Sequence, residues 1–494
     1  MKRIITLVLA AALILSTAAV SFADGIDVKA RGTWDWSFGW AINNTFHKNV
    51  NNKSDRANDS FMARHRIRAQ VNFISSEYLQ GVLMFEIGTL DWGRGGSSGR
   101  SSGGALDADG VNIETKRAYL DWIIPNTEIS VRMGIQGLKL PSTPMGSPMW
   151  DADAAGIVVS SPVTDWLSAT AFWFRPFDSY YNDAEYSTGT SRHLDDEVDL
   201  FGLLLPMSGD GWTFTPWGIW GSVGSASGFY DYLFSPNREN SVDSENSRAT
   251  AWWGGAHLEL RILDPLVFNL EGIYGRVNQN NLHGFRMPGV TGNWGTKGWF
   301  LGATLDYKLD WATPGIFGWY ASGDKESDVE DGWLGRLPAL GADSAAFGPT
   351  SFGFGGSFCK GIATFGQVSN TGTGQWGIGL QLKDFSFIED LSHTIRVAYI
   401  RGTNDEDVIK RFGNINRGFM RYNVHDAMYL TKKDSIWEVN FDHKYKIYEN
   451  LTMAVELGWL RLDSDEDTWG RVRSSNNKEH SNAWKAQLMF KYTF

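Results

Sequence analysis

WKAQLMFKYTF, Trp484 to Phe494, is the stretch on which the fold turns. Trp484, Ala486, Leu488, Phe490, Tyr492 and Phe494 fall on one side of an extended chain, while Lys485, Gln487, Met489, Lys491 and Thr493 fall on the other, because strand side chains alternate faces. A soluble sheet would fill its apolar face with Leu, Ile and Val. Here aromatics punctuate it, as they do where a strand faces lipid between interfacial girdles.

The pattern recurs upstream. Val28, Ala30, Trp34, Trp36, Phe38 and Trp40 oppose Lys29, Arg31, Thr33, Asp35 and Ser37. Ile67, Ala69, Val71 and Phe73 oppose Arg64, Arg66, Arg68, Gln70 and Asn72. Trp437, Val439, Phe441 and Tyr445 oppose Glu438, Asn440, Asp442 and Lys444. Each run is about 10 residues long, enough for a tilted strand to cross a bilayer. The inward faces carry too much charge to form a second core.

Composition agrees. The 494 residues include 23 Trp, 29 Phe and 16 Tyr, yet 20% of the chain is charged. Disordered chains lack aromatics on this scale. After the N-terminal stretch no segment approaches the roughly 18 consecutive apolar residues of a spanning helix.

The connections alternate in length. Short turns fall near Ser75–Tyr78, Pro125–Thr127, Ser161–Asp165, Pro206–Gly211, Leu263–Pro265, Asp310–Gly315, Ser386–Leu391 and Lys446–Glu449. Long polar segments lie between them, such as Asn43–Ser60, Asp91–Gly110, Asp324–Thr371 and Gly402–Lys433. Short periplasmic turns alternating with long external loops are the layout of an outer-membrane barrel. Eight turns and nine loops predict an all-β transmembrane antiparallel β-barrel of 18 strands. Alternation fades at Gly156–Ser160 and Val198–Leu205, and losing a hairpin there would give 16. Closure of the barrel satisfies every backbone group in lipid and leaves no edge to aggregate.

The N-terminus supplies an address. Lys2 and Arg3 precede an apolar stretch from Ile4 to about Val20, and Ser21-Phe22-Ala23 offers small residues to signal peptidase. Residues 1–23 are expected to be a cleaved signal peptide and 24–494 a single barrel domain. Losing Lys2 and Arg3 makes the exported chain two charges more acidic than the net -11 of the full sequence. Cys359 is the only cysteine, which excludes an intrachain disulfide. Alternation begins within a few residues of Asp24, so the N-terminal plug that the energy-coupled transporter family implies is not expected.

No enzyme is indicated. His47, His65, His193, His257, His283, His393, His425, His443 and His480 stand outside any recognisable Ser or Asp motif and read as rim residues. Asp463-Ser464-Asp465-Glu466-Asp467 starts like an EF-hand loop, but Thr468 replaces the turn glycine and Ser474 the bidentate Glu. No metal site or cofactor is expected, beyond loose divalent cations or lipopolysaccharide at acidic external loops.

Basic residues on inward faces are more informative. Arg64, Arg66 and Arg68 alternate along one strand, and Arg117 and Arg132 lie inward on the fourth and fifth. Clustered guanidinium groups repel unless water, counterions or carboxylates relieve them, and rings of Arg or Lys set pore selectivity. The segment from Leu140 to Ala155, LPSTPMGSPMWDADAA, has three prolines and little charge except Asp151 and Asp153. It is predicted to fold into the lumen near residues 139–155 as a constriction, with both acids across from the arginines. Fourteen phased inward positions are Lys or Arg and nine are Asp or Glu, which predicts mild anion preference under an acidic outer rim.

These features resemble the trimeric porins of Gram-negative outer membranes, above all the homotrimeric porins of sulfate-reducing bacteria. The resemblance implies that Leu488, Phe490, Tyr492 and Phe494 form the signal read by the barrel-assembly machinery. It also implies a homotrimer, a basic ladder facing an acidic third loop, and passive diffusion of small hydrophilic solutes and ions. General porins of this kind have 16 strands. Sugar-selective ones have 18, which keeps a selective sugar or oligosaccharide porin as the alternative, with Tyr119 and Phe172 as candidate lumen aromatics. A surface barrel with a closed lumen, structural or adhesive, is a third reading.

Overall fold

The computed structural model describes residues 25–43, 47–49, 60–93, 104, 113–178, 196–225, 227–234, 243–244, 248–283, 293–340, 347–362, 373–412, 429–469, 478–480 and 482–494. The expected signal peptide lies outside them. Among the described residues, eighteen long strands follow one another around a closed antiparallel barrel. They are β1 (Asp27–Ile42), β2 (Ser60–Ser76), β3 (Leu79–Asp91), β4 (Ile113–Ile123), β5 (Ser130–Lys139), β6 (Asp151–Thr164), β7 (Leu167–Phe177), β8 (Val198–Leu204), β9 (Trp212–Val223) and β10 (Ala249–Leu260). The second half comprises β11 (Leu266–Asn280), β12 (Trp294–Tyr307), β13 (Thr313–Ala321), β14 (Gln375–Ile388), β15 (Leu391–Gly402), β16 (Ser435–Tyr448), β17 (Leu451–Asp463) and β18 (Ala483–Thr493). Both stretches of fading alternation are strands, in β6 and β8.

The last strand closes the ring. It pairs with β1 from Thr33↔Thr493 to Ile42↔Trp484, and Gly32 and Phe494 exchange backbone hydrogen bonds of 2.8 and 3.1 Å. The outer face carries two aromatic belts. Near the long loops, exposed Trp220 pairs with Trp252, Trp299 stacks on Tyr320 at 4.9 Å, and Trp437 lies 5.0 Å from Tyr399. Near the short turns stand exposed Tyr78, Trp166, Tyr307, Trp311, Tyr445 and Tyr448. Rings with an apolar body and a polar tip collect at both membrane interfaces. No helix among the described residues is long and apolar enough to cross a membrane.

The interior departs from expectation. A second core does exist, and it lies inside the barrel. Phe172, Phe174, Trp217, Trp253, Phe300, Phe317 and Trp319 point inward from β7 to β13 and are buried. They are covered by two connections that enter the lumen. One is Leu140–Trp150, whose Trp150 ring packs 5.2 Å from Phe174. The other is the β13–β14 connection, whose Phe347 and Phe354 lie 5.2 and 5.1 Å from Trp319. The alternation expected to be apolar-out and polar-in is apolar on both faces along this arc, so the barrel encloses packed protein there instead of water.

Candidate functional site

The third long connection is held in the lumen by backbone bonds to β11 and to the inserted β13–β14 connection. The Thr143 amide donates to the Glu271 carboxylate on β11 at 3.1 Å, and the Met145 carbonyl accepts from Gly348 at 2.6 Å. Leu140, Met145, Met149 and Trp150 are buried. Asp151 and Asp153 do not belong to this loop. They open β6, where Asp151 faces Lys139 in register and Asp153 shares its side with exposed Ile157 and Val159.

The five arginines separate into two groups. Arg64 is ion-paired with Asp91, and Arg68 holds Glu86 at 2.6 Å. Arg66 lies between Asp35 at 3.8 Å and Glu86 at 3.9 Å and donates to the Lys360 carbonyl at 2.8 Å. Arg132 holds Asp121 on the next strand at 2.7 Å and covers the Tyr119 ring at 4.8 Å. These four stand on the lumen wall from β2 to β5.

Arg117 differs. The β3–β4 register skips Lys116, and the β4–β5 ladder stops at Ala118↔Ile135. Through that opening both Lys116 and Arg117 reach Asp153, at 2.6 and 2.8 Å. A Cβ on exposed Gly137 would stand 2.7 Å from the Arg117 guanidinium, which places that group on the outer side of the wall. The alternation places Arg117 inward; the extra residue in the strand turns it out.

Exposure differs among the charged groups of the lumen. The side chains of Arg64, Arg68 and Arg132 are 23%, 29% and 41% exposed. On the neighbouring wall, beyond β1, Lys485 and Glu456 form a 2.8 Å pair that is 0% and 3% exposed. What covers them is Thr350–Lys360 of the β13–β14 connection, which sequence reasoning left outside the barrel. Glu438 accepts from the Thr350 hydroxyl at 3.0 Å and from the Gly353 amide at 2.9 Å. Glu456 accepts from the Phe358 amide at 2.7 Å and the Ser357 hydroxyl at 2.8 Å, while Ser351 donates to Asp442 at 2.8 Å. Lys485 and Lys491 donate to the carbonyls of Ser351 and Phe358 at 2.5 and 3.2 Å. A buried charge is tolerated only when paired and hydrogen-bonded, and the inserted segment supplies those bonds.

Acinetobacter baumannii OccAB1 superposes with a TM-score of 0.50 at 11% identity, over 96% of this chain and 99% of that one. Pseudomonas aeruginosa OccK2 (OpdF) does so with the same score and identity, over 95% and 98%. The fold is theirs. No protein-family model matches the sequence, and no curated protein sequence does.

The remaining candidates are placed as follows. Leu488 and Phe490 face outward on β18 opposite Phe38 and Trp36, and Tyr492 stands opposite Trp34. Phe172 is buried in the internal core, and Tyr119 lies beneath Arg132, so neither lines an open aromatic track. Asp465 caps a four-residue helix, accepting from the Thr468 amide at 3.0 Å. No group of three or more potential metal ligands occurs among the described residues.

Proposed function

We propose that the protein is a passive channel of a Gram-negative outer membrane, admitting small hydrophilic solutes and ions with mild anion preference. The fold, shared with outer-membrane porins, supports the setting. The carrying observation is the contrast in exposure between Arg64, Arg68 and Arg132 and the Lys485–Glu456 pair. Arg64, Arg68 and Arg132 meet water, while the Lys485–Glu456 pair on β17 and β18 is sealed by the inserted segment and, on that wall, exposure returns further along β18, at Lys491. The path therefore runs off-centre, along β2–β5, where cationic side chains set the local field. Carboxylate partners neutralise part of that field and keep the preference mild. Cleavage after Ala23, recognition of the last strand by the assembly machinery and association into a trimer like the porins of sulfate-reducing bacteria belong to the same proposal.

One observation favours a second reading. Two connections fill much of the lumen, and a barrel closed in this way would be a structural or adhesive surface protein. Single-channel recording in a planar bilayer under a salt gradient decides between them. Ohmic steps that close in thirds, with a reversal potential on the anion side, are expected of the trimeric channel. Folded protein without conductance would leave the surface barrel standing.

A further inference from the structure

His393 and His443 are register partners on β15 and β16. Both lie on the outer face, in phase with exposed Ile395 and Val397 on one strand and Trp437 and Phe441 on the other. The β15 turn is two residues away, which at strand rise is about 7 Å, so the pair stands at the turn end of the wall. Their Nδ1 atoms approach to 2.6 Å, with ring centroids 4.9 Å apart and planes at 85°. Phe441 packs 4.1 Å from the His443 ring and Phe385 5.2 Å from that of His393, fixing both imidazoles from the sides.

Two neutral imidazoles in this arrangement share one proton, donated by one Nδ1 and accepted by the other. Moving that proton to its own ring's Nε2 leaves both Nδ1 lone pairs aimed at a common point, with no net change in protonation. Two nitrogens each about 2.0 Å from a tetrahedral ion stand about 3.3 Å apart, so a small opening of the pair admits a metal. We propose that His393 and His443 form a two-imidazole site for a late divalent transition-metal ion, water completing the coordination, and that the ion clips β15 to β16 at the turn end. Imidazole nitrogen suits Cu2+ and Zn2+, with Cu2+ bound more tightly. The adjacent Lys444 does not oppose this, because it faces the lumen, with its ammonium 5.4 Å from the Phe358 ring.

Chelator-treated, folded full-length protein is titrated with Cu2+ and followed by electron paramagnetic resonance. The expected result is one ion per chain showing coupling to two nitrogens, with binding weakened at least tenfold in each of His393→Gln and His443→Gln. His47 and His480 are register partners in the external connections. The His47→Gln/His480→Gln variant must therefore keep the two-nitrogen signal. Heat-modifiable gel migration confirms that each variant is folded. An unchanged two-nitrogen signal in the His393→Gln/His443→Gln variant, or its loss in the His47→Gln/His480→Gln variant, overturns the proposal. So does wild-type protein that binds no Cu2+.

Discussion

At the scale of single residues, Phe494 and Gly32 seal the ring together. A Cβ at Gly32 would stand 2.3 Å from the Arg68 carbonyl oxygen on β2 and 2.6 Å from the Phe494 ring, so a side chain there would meet both neighbouring strands. Gly32→Val is expected to overpack this contact by about 1–3 kcal/mol and to lower the fraction of heat-modifiable folded barrel after refolding. Phe494→Ala should lower it as well, by losing the ring. A Phe494→Ala variant that refolds as the parent does would show that the ring contact is dispensable. Alternation made Phe494 and its outward companions legible, whereas the glycine's role exists only once β1 lies between β2 and β18. Cys359 gives a second prediction at this scale. Burial foremost, then the Asp35 carboxylate, pushes its thiol up to about 12. The thiolate is the reactive form, so raising the thiol above its usual value near 8.5 depletes it by roughly a thousandfold at pH 8. Maleimide should leave the native protein untouched and label it promptly after unfolding.

Among elements, the inserted β13–β14 segment matters most and was least legible. It has the glycines and serines of an external loop, and nothing in strand periodicity says where a connection goes. A signal was present nonetheless. No charge occurs between Asp343 and Lys360, and Phe347, Phe352, Phe354 and Phe358 are spread through the interval, a composition that seeks burial more than solvent. The Leu140–Trp150 loop was easier, because three prolines in a weakly charged stretch fit a stiff, packed chain. What holds the larger insertion is carboxylate chemistry on β16 and β17. Glu438→Ala/Glu456→Ala removes the acceptors of Thr350, Gly353, Ser357 and Phe358 and leaves Lys485 buried without its counterion. Breaking one such buried pair costs about 3–5 kcal/mol, which the segment recovers by leaving the lumen. The double variant should show larger single-channel conductance, and Cys359 should become reactive in the folded barrel. Unchanged conductance with an unreactive thiol would mean that the aromatic contacts alone retain the segment.

For the whole molecule, strand number and inside–outside phase followed from alternation because lipid and interior impose opposite demands on successive residues. The contents of the interior did not follow. An inward position reads the same in sequence whether water or a folded-in loop meets it, and a one-residue bulge like that at Lys116 reverses a side chain without disturbing the pattern around it. The proposed off-centre path makes the charged residues unequal in a way that tests the whole arrangement. Arg68 and Arg132 are exposed in the lumen, Lys485 is sealed behind the inserted segment, and Arg117 lies outside. Arg68→Ala/Arg132→Ala removes two lumen cations, leaving Glu86 with Arg66 alone and Asp121 without its arginine, so the reversal potential should move to the cation side. Arg117→Ala changes a rim pair beyond the barrel wall, and the potential should stay within error of the parent. Lys485→Met should also leave selectivity in place, unless the loss of its bonds frees the segment, which the conductance would report separately. If Arg117→Ala shifted the potential as far as the lumen double variant does, ions would be passing near Asp153, and the path along β2–β5 would be the wrong one.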